Sequence, residues 1–196
     1  MKHLVITIGC EYGAKGNAIG KKIAQDLGIK FYDRDLVDEI IKEVGIPTDI
    51  MDRVEEGGTI AGKGAQGDVR GSFSKYADLT DRAIHVQKQI IRKLAQKEAC
   101  VIIGRSADYI LKDRDDVLNV FIHGDMPEKT QRIMGLYNVG EKEAVKMMAD
   151  TDKRRMTNYS FYTDQKWGKA SNYTLCLNSS EIGYDKCEAI IIECSK

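Results

Sequence analysis

The stretch Leu4–Leu27 limits the folds open to this chain more than any other. It begins with the apolar run Leu4-Val5-Ile6-Thr7-Ile8 and turns through Gly9-Cys10-Glu11-Tyr12-Gly13-Ala14-Lys15-Gly16-Asn17. It then continues with Ile19, Ile23 and Leu27 at helical spacing. The apolar run predicts a buried strand, the glycines a tight loop, and the spacing an amphipathic helix closed by Gly28. Such a loop directs several backbone N–H groups toward one point, where the helix dipole adds partial positive charge. Lys15 brings a full charge to the same place. The combination suits a polyphosphate.

Measured against the phosphate-loop pattern G-x-x-x-x-G-K-[ST], Gly9 and Lys15 stand at the right separation. Ala14 takes the second glycine position, and Gly16-Asn17 replaces the hydroxyl residue. An Asn carbonyl can ligate magnesium or hold its water, with a geometry different from that of a hydroxyl. These residues alone also allow an ordinary glycine-rich connection from strand to helix, without a ligand.

A chain of 196 residues is long enough for one domain with a substantial core. Its formal net charge of zero argues against a dedicated nucleic-acid binder, which would carry a basic excess. Cys10, Cys100, Cys176, Cys187 and Cys194 are scattered and odd in number, and the first three, in or beside apolar runs, read as reduced core residues of a cytosolic protein. His3, His85 and His123 are too dispersed for a zinc site. Lys2 and His3 precede an apolar run too short for a secretion signal, and no stretch approaches the roughly 20 apolar residues of a membrane span. The expectation is a soluble, cytoplasmic protein with no membrane partner.

Further along, Ile29–Tyr32 reads as a second strand before Asp33-Arg34-Asp35, and a helix is expected from about Asp35 to Val44. Another short helix is expected over 48–56. Gly57–Ser72 is glycine-rich with few large apolar residues, and predicts a mobile loop. It is either a passive linker or a flap in which Lys63 and Arg70 touch phosphate. Residues 73–98 carry a helical repeat. Cys100–Gly104 and Val117–Ile122 are continuous apolar runs of the kind buried on both faces of a sheet, the first ending at Arg105. Asp125, Pro127 and Glu128 start a helix, with Asp125 as its cap. From Glu141 a helix carries the cluster Asp150–Arg155, followed by the aromatic residues Tyr159, Phe161, Tyr162 and Trp167. Tyr173–Leu177 reads as the last strand, Asn178–Ser180 as its turn and Tyr184–Cys194 as the closing helix. Strands alternating with helices predict an α/β fold with a parallel sheet covered on both faces. Ligands in such sheets bind beyond the carboxyl ends of the strands. That rim collects the Gly9–Asn17 loop, Asp33, Arg105, His123 and Asn178.

The segments ITIGCEYGAKGNAIGKKIA, LGIKFYDRDL, VIIGRSADYIL, VFIHGDMPEK and KWGKASNYTLCLNSS together resemble the cytidylate kinase-like proteins, relatives of the P-loop nucleoside monophosphate kinases. The resemblance touches nearly the whole chain. It implies a three-layer α/β/α P-loop fold with a five-stranded parallel sheet, a helical lid at about 140–168 and a nucleoside-monophosphate-binding insertion at about 57–72. The implied reaction moves the γ-phosphoryl group of ATP, with Mg2+, to a nucleoside monophosphate. On this resemblance Gly9, Gly13, Ala14, Lys15, Gly16 and Asn17 form the donor-phosphate loop. Asp33 and Arg34 belong to the acceptor region, and Arg105 grips the acceptor phosphate. Arg155, with Asp152 three residues before it, resembles the lid pattern D-x-x-R, and Arg154 is its neighbour. Magnesium on the donor phosphates is expected to be held mainly through water near Asn17 and Asp33.

Two departures bear on the acceptor. Cytidylate kinases follow the strand-end aspartate with small residues and an arginine, where this chain has Arg34-Asp35-Leu36-Val37-Asp38-Glu39. They also place a cytosine-contacting aspartate after the arginine that Arg105 matches, and Ser106 stands there. Three functions therefore stay open: a CMP- or dCMP-like kinase, a kinase of another small-molecule acceptor, and a nucleotide-binding regulator without transfer activity. Arg154 and Arg155 are likewise either lid arginines or one face of a solvated, salt-paired helix.

Overall fold

A computed structural model describes residues 4–43, 45 and 70–196. Five strands, β1 (Val5–Cys10), β2 (Lys30–Tyr32), β3 (Cys100–Ile103), β4 (Val117–His123) and β5 (Leu175–Asn178), form one sheet in the order β2-β3-β1-β4-β5. Every pairing is parallel, so all five carboxyl ends open on one rim. The helices are α1 (Gly16–Leu27), α2 (Arg34–Glu43), α3 (Arg70–Lys97), α4 (Ala107–Ile110), α5 (Met126–Tyr137), α6 (Glu141–Thr163), α7 (Ser179–Ile182) and α8 (Tyr184–Ser195).

The unbroken apolar runs follow from burial on both faces. Along β1, Val5 joins a core with Val37, Ile41, Ile91, Cys100, Ile102 and Leu111, beneath α2 and α3. Ile6 and Ile8 turn the other way and pack with Ile19, Ile23, Val101, Leu118, Val120 and Ile191, beneath α1 and α8. Period-two alternation thus feeds two cores from one strand. Thr7 is the polar member of the run. It is 2% exposed, and its hydroxyl donates to Asn119 Oδ1 at 2.6 Å, directly across the β1–β4 register.

Gly28 closes α1 in the left-handed conformation, φ 64°, and its N–H reaches the last carbonyls of the helix, as the sequence pattern requires. Several boundaries differ from expectation. α3 begins at Arg70 rather than 73; a helix already nucleated downstream extends into Arg70-Gly71-Ser72 at small cost per residue. Asn178–Ser180 is not a plain turn, because Asn178 Oδ1 accepts from the N–H groups of Ser180 and Glu181 and starts α7. Asp125 sits at the N-cap of α5 without capping through its side chain; its Oδ1 accepts instead from Asn178 Nδ2 at 2.9 Å. The expected helix at 48–56, the expected mobile loop and insertion up to residue 69, Lys63 and the side chain of Arg70 lie outside the described residues. Of the cysteines expected in the core, Cys100 is buried and Cys10 half-buried, but Cys176, on the edge strand β5, is exposed. No helix among the described residues is long and apolar enough to cross a membrane.

Candidate active site

At the rim the loop after β1 is held from outside by its carbonyls. The Cys10 carbonyl accepts from Arg155 Nη1 at 2.8 Å, the Gly13 carbonyl from Arg132, and the Ala14 carbonyl from Ser179 Oγ at 3.0 Å. In a trans peptide the next N–H points opposite to the carbonyl. Anchoring Ala14 C=O on Ser179 therefore turns the Lys15 N–H to the other side, at the start of α1. Glu11 is fixed by Lys129, whose Nζ lies 2.6 Å from its Oε2 and whose side chain is 5% exposed. Gly16 is demanded by close approach: a Cβ there would meet Cys10 Cβ at 2.4 Å. Lys15 itself adopts φ 61°, and its ammonium lies 4.0 Å from the centre of the Tyr184 ring. Arg132 approaches the same ring at 5.1 Å.

Beside the loop lies a cavity of about 460 Å3, walled by Gly9 and Cys10 from β1 and by Arg34, Arg105, Arg154 and Arg155. Its remaining wall includes Gln87, Ser106, Asp108, Asn158, Tyr159, Tyr162, Trp167 and Tyr173. Arg105 enters it from a tight turn: Gly104, Arg105 and Ser106 all have positive φ, at 65°, 57° and 52°. For the two non-glycine residues this conformation costs about 1–2 kcal/mol each. Two contacts hold it in place. The Gln87 amide donates to the Arg105 carbonyl at 3.4 Å, and Arg105 Nη2 pairs with Asp38 Oδ2. The Arg105 side chain is only 6% exposed, so a carboxylate partner offsets much of the cost of burying its charge. Arg34 Nε lies 3.9 Å from the same Asp38 oxygen. Burial nonetheless raises the Asp38 carboxyl above the ordinary range, against the pull of Arg105 and Arg34.

The lid pattern sits on α6. Asp152 Oδ1 accepts from the Tyr12 N–H at 2.8 Å, and Arg155 lies 3.5 Å from Asp152 while reaching Cys10 O. The i, i+3 pair thus grips two points of the phosphate loop from one helical face. Arg154 points along the helix to Thr151 Oγ1 at 3.3 Å. At the base of the lid the Tyr159 hydroxyl donates to Asp108 Oδ2 at 2.6 Å. Burial raises the Asp108 carboxyl and, with Asp108 nearby, the Tyr159 phenol. Tyr162 is pushed up to about 12 by burial and then by Asp81.

The structure thus brings Gly9, Arg34, Arg105, Arg154 and Arg155 around one space, with Lys15 at the loop's far end on Tyr184. Asp33 is placed elsewhere. Its Oδ1 accepts from the Leu36 N–H at 3.0 Å and caps α2, and it does not line the cavity. For magnesium the protein donors are few: among the described residues no three of His, Cys, Asp and Glu gather. Asn17, exposed in the first turn of α1, offers one carbonyl. That set fits an ion carried mainly on nucleotide phosphates and water, the usual habit of Mg2+, rather than a protein cage. Sequence reasoning missed Asp38, Gln87, Asp108, Arg132 and Tyr184. Asp38 lies in a stretch already marked as departing from the cytidylate kinase pattern, whereas Gln87 and Arg132 sit in helices with no local signal.

A five-stranded parallel sheet between helical layers, with a glycine-bearing strand–loop–helix turn at its carboxyl rim, is a three-layer α/β fold of the P-loop kind. The profile of the cytidylate kinase-like family matches residues 5–181, and the chain belongs to that family. An uncharacterized protein from Eubacterium ventriosum has a crystal structure that is 32% identical, with a TM-score of 0.76 and 97% of each chain covered. A gluconokinase from Sinorhizobium meliloti (15% identical, TM-score 0.53, covering 97% of this chain and 93% of that one) shares the fold. So does a shikimate kinase from Bacteroides thetaiotaomicron (17%, TM-score 0.51, 97% and 92%). No curated protein matches the chain.

Proposed function

We propose that the protein transfers the γ-phosphoryl group of ATP to a nucleoside monophosphate, with CMP or dCMP as the favoured acceptor. The observation that carries this is one cavity bounded by the start of the phosphate loop, four arginines and, on its remaining wall, aromatic and amide side chains. Its volume is in the range of small-ligand pockets.

Phosphoryl transfer asks the protein for in-line positioning and neutralisation of charge, with little covalent chemistry. The loop N–H groups and the N-terminus of α1 bind the donor phosphates. Lys15 leaves Tyr184 for the β/γ-phosphates, giving up a cation–π contact worth about 0.5–1 kcal/mol at an exposed site. Arg105, with Arg34, binds and orients the acceptor phosphate. An oxygen of that phosphate attacks the γ-phosphorus, the bond from that phosphorus to the β–γ bridging oxygen breaks, and ADP leaves. Arg154 and Arg155 neutralise the transferring group and close the site against water, so that ATP is not hydrolysed. Asn17 would be the protein donor available to a magnesium ion carried on the donor phosphates, and such an ion would supply further neutralisation.

A second reading, transfer to another small-molecule acceptor, is favoured by Ser106 in place of the cytosine-contacting aspartate and by the negative charge of Asp38 on Arg105. ADP production measured over the common nucleoside monophosphates separates the two. Turnover of CMP, dCMP or UMP supports the first. ATP binding without turnover of any of them supports the second and overturns the first.

A further inference from the structure

Two side chains on the cavity wall carry polar atoms that the protein leaves unanswered. Gln87, on α3, is 8% exposed. Its amide nitrogen donates to the Arg105 carbonyl, which also settles the orientation of the amide, since the reverse would face two oxygens. The amide oxygen is therefore fixed on the other side, where it is buried and has no hydrogen-bond partner among the described residues. The hydroxyl of Tyr162, on α6, is likewise buried and without a partner among them. Both residues line the cavity that receives Arg105. A buried polar atom left unpaired destabilises the protein that holds it. Both atoms belong to residues that line the cavity but are themselves covered, so a ligand entering it satisfies them by displacing the side chains that cover them.

The chemistry the two atoms call for is specific. Gln87 Oε1 can only accept, so it calls for an N–H or O–H donor. The Tyr162 hydroxyl can donate to a second heteroatom. Tyr159, Trp167 and Tyr173 on the same wall offer flat apolar surface to a planar ring. We propose that Gln87 is the residue that determines acceptor specificity, its amide oxygen taking an N–H from the nucleobase while the Tyr162 hydroxyl meets a ring nitrogen or carbonyl beside it. The cytosine edge, an amino group next to a ring acceptor, meets both. This deepens the proposed function and rests on it. It also accounts for the missing aspartate at Ser106, because base recognition moves to α3 and α6.

The experiment measures steady-state KM for CMP and for ATP, and kcat, in the wild-type protein, Gln87→Leu and Tyr162→Phe, with N4,N4-dimethyl-CMP as the acceptor lacking the amino N–H. Gln87→Leu is expected to raise the CMP KM about 10-fold or more, leave the ATP KM unchanged and abolish the preference for CMP over its dimethyl analogue. Tyr162→Phe is expected to raise the CMP KM several-fold with Tm unchanged or higher, because an unpaired hydroxyl has been removed. Gln87 also holds the Arg105 carbonyl, so a merely structural role would raise the KM for CMP and for its dimethyl analogue alike; that result, an unchanged preference in Gln87→Leu, overturns the assignment while the kinase reading stands. Absence of turnover of any nucleoside monophosphate by the wild-type protein overturns both.

Discussion

The proposed donor end of the site is one continuous segment, Gly9 to Asn17, whereas the proposed acceptor end, the cavity wall, is gathered from α2, α3, the β3–α4 turn and α6. The loop is fixed by its own backbone: outward carbonyls held by Arg132, Arg155 and Ser179, and a Gly16 that admits no side chain. The acceptor end is fixed by ionic and polar side chains, Asp38 on Arg105, Tyr159 on Asp108 and Gln87 on the Arg105 carbonyl. A contiguous cup can be kept by a few glycines at set positions. A composite wall can change its ligand through single substitutions on separate helices without disturbing the cup. The difference teaches which part of this molecule a single substitution can re-shape and which part it would break.

That contrast also governs what could be read from the sequence. The strand, the loop, the Gly28 cap and the position of Lys15 follow from spacing within about 25 residues. The apolar runs at 100–104 and 117–122 are continuous because the parallel sheet is covered on both faces. Arg105 was legible because it ends such a run. Gln87 was not, since one glutamine in a long amphipathic helix has no signal until the fold sets it against the β3–α4 turn. Asp33 shows where such a reading stops: a strand-end aspartate is equally suited to a ligand and to a helix cap, and its Oδ1 caps α2.

The comparison can be broken most sharply at Lys15. Lys15→Ala is expected to lower kcat by about 100- to 1,000-fold, the usual cost of removing a group that meets developing charge. Unchanged turnover would remove the loop from the chemistry. Gly16→Ala tests whether the cup is fixed by packing. A Cβ 2.4 Å from Cys10 Cβ forces strand and helix apart, and overpacking of this kind costs about 1–3 kcal/mol, a fall of roughly 2–12 °C in Tm for a domain this size. A Tm equal to that of the wild type would contradict the close approach.

Asp108→Asn sharpens the contrast from the acceptor side. Burial raises the folded-state pKa of Asp108, so its ionisation weakens the fold: its favourable contribution is present below the ordinary carboxylate range and lost as pH rises through the folded value. The amide keeps an acceptor for the Tyr159 hydroxyl and carries no charge. The Tm of Asp108→Asn relative to wild type is therefore expected to rise with pH and to converge with it in acid. A difference that shrinks with rising pH has the wrong sign. The smallest effect is expected at Tyr184, where Leu removes the resting contact of Lys15 and alters the ATP KM by no more than about fivefold.

The account depends on the loop and the cavity being two halves of one site. Equilibrium binding of a dinucleoside pentaphosphate, adenosine at one end and cytidine at the other, tests this most directly. If the halves face each other, the linked ligand binds at least about 100-fold more tightly than ATP, because its second contact is made at high effective concentration. Affinity no greater than that of ATP, with CMP still able to bind alongside it, would contradict a shared site.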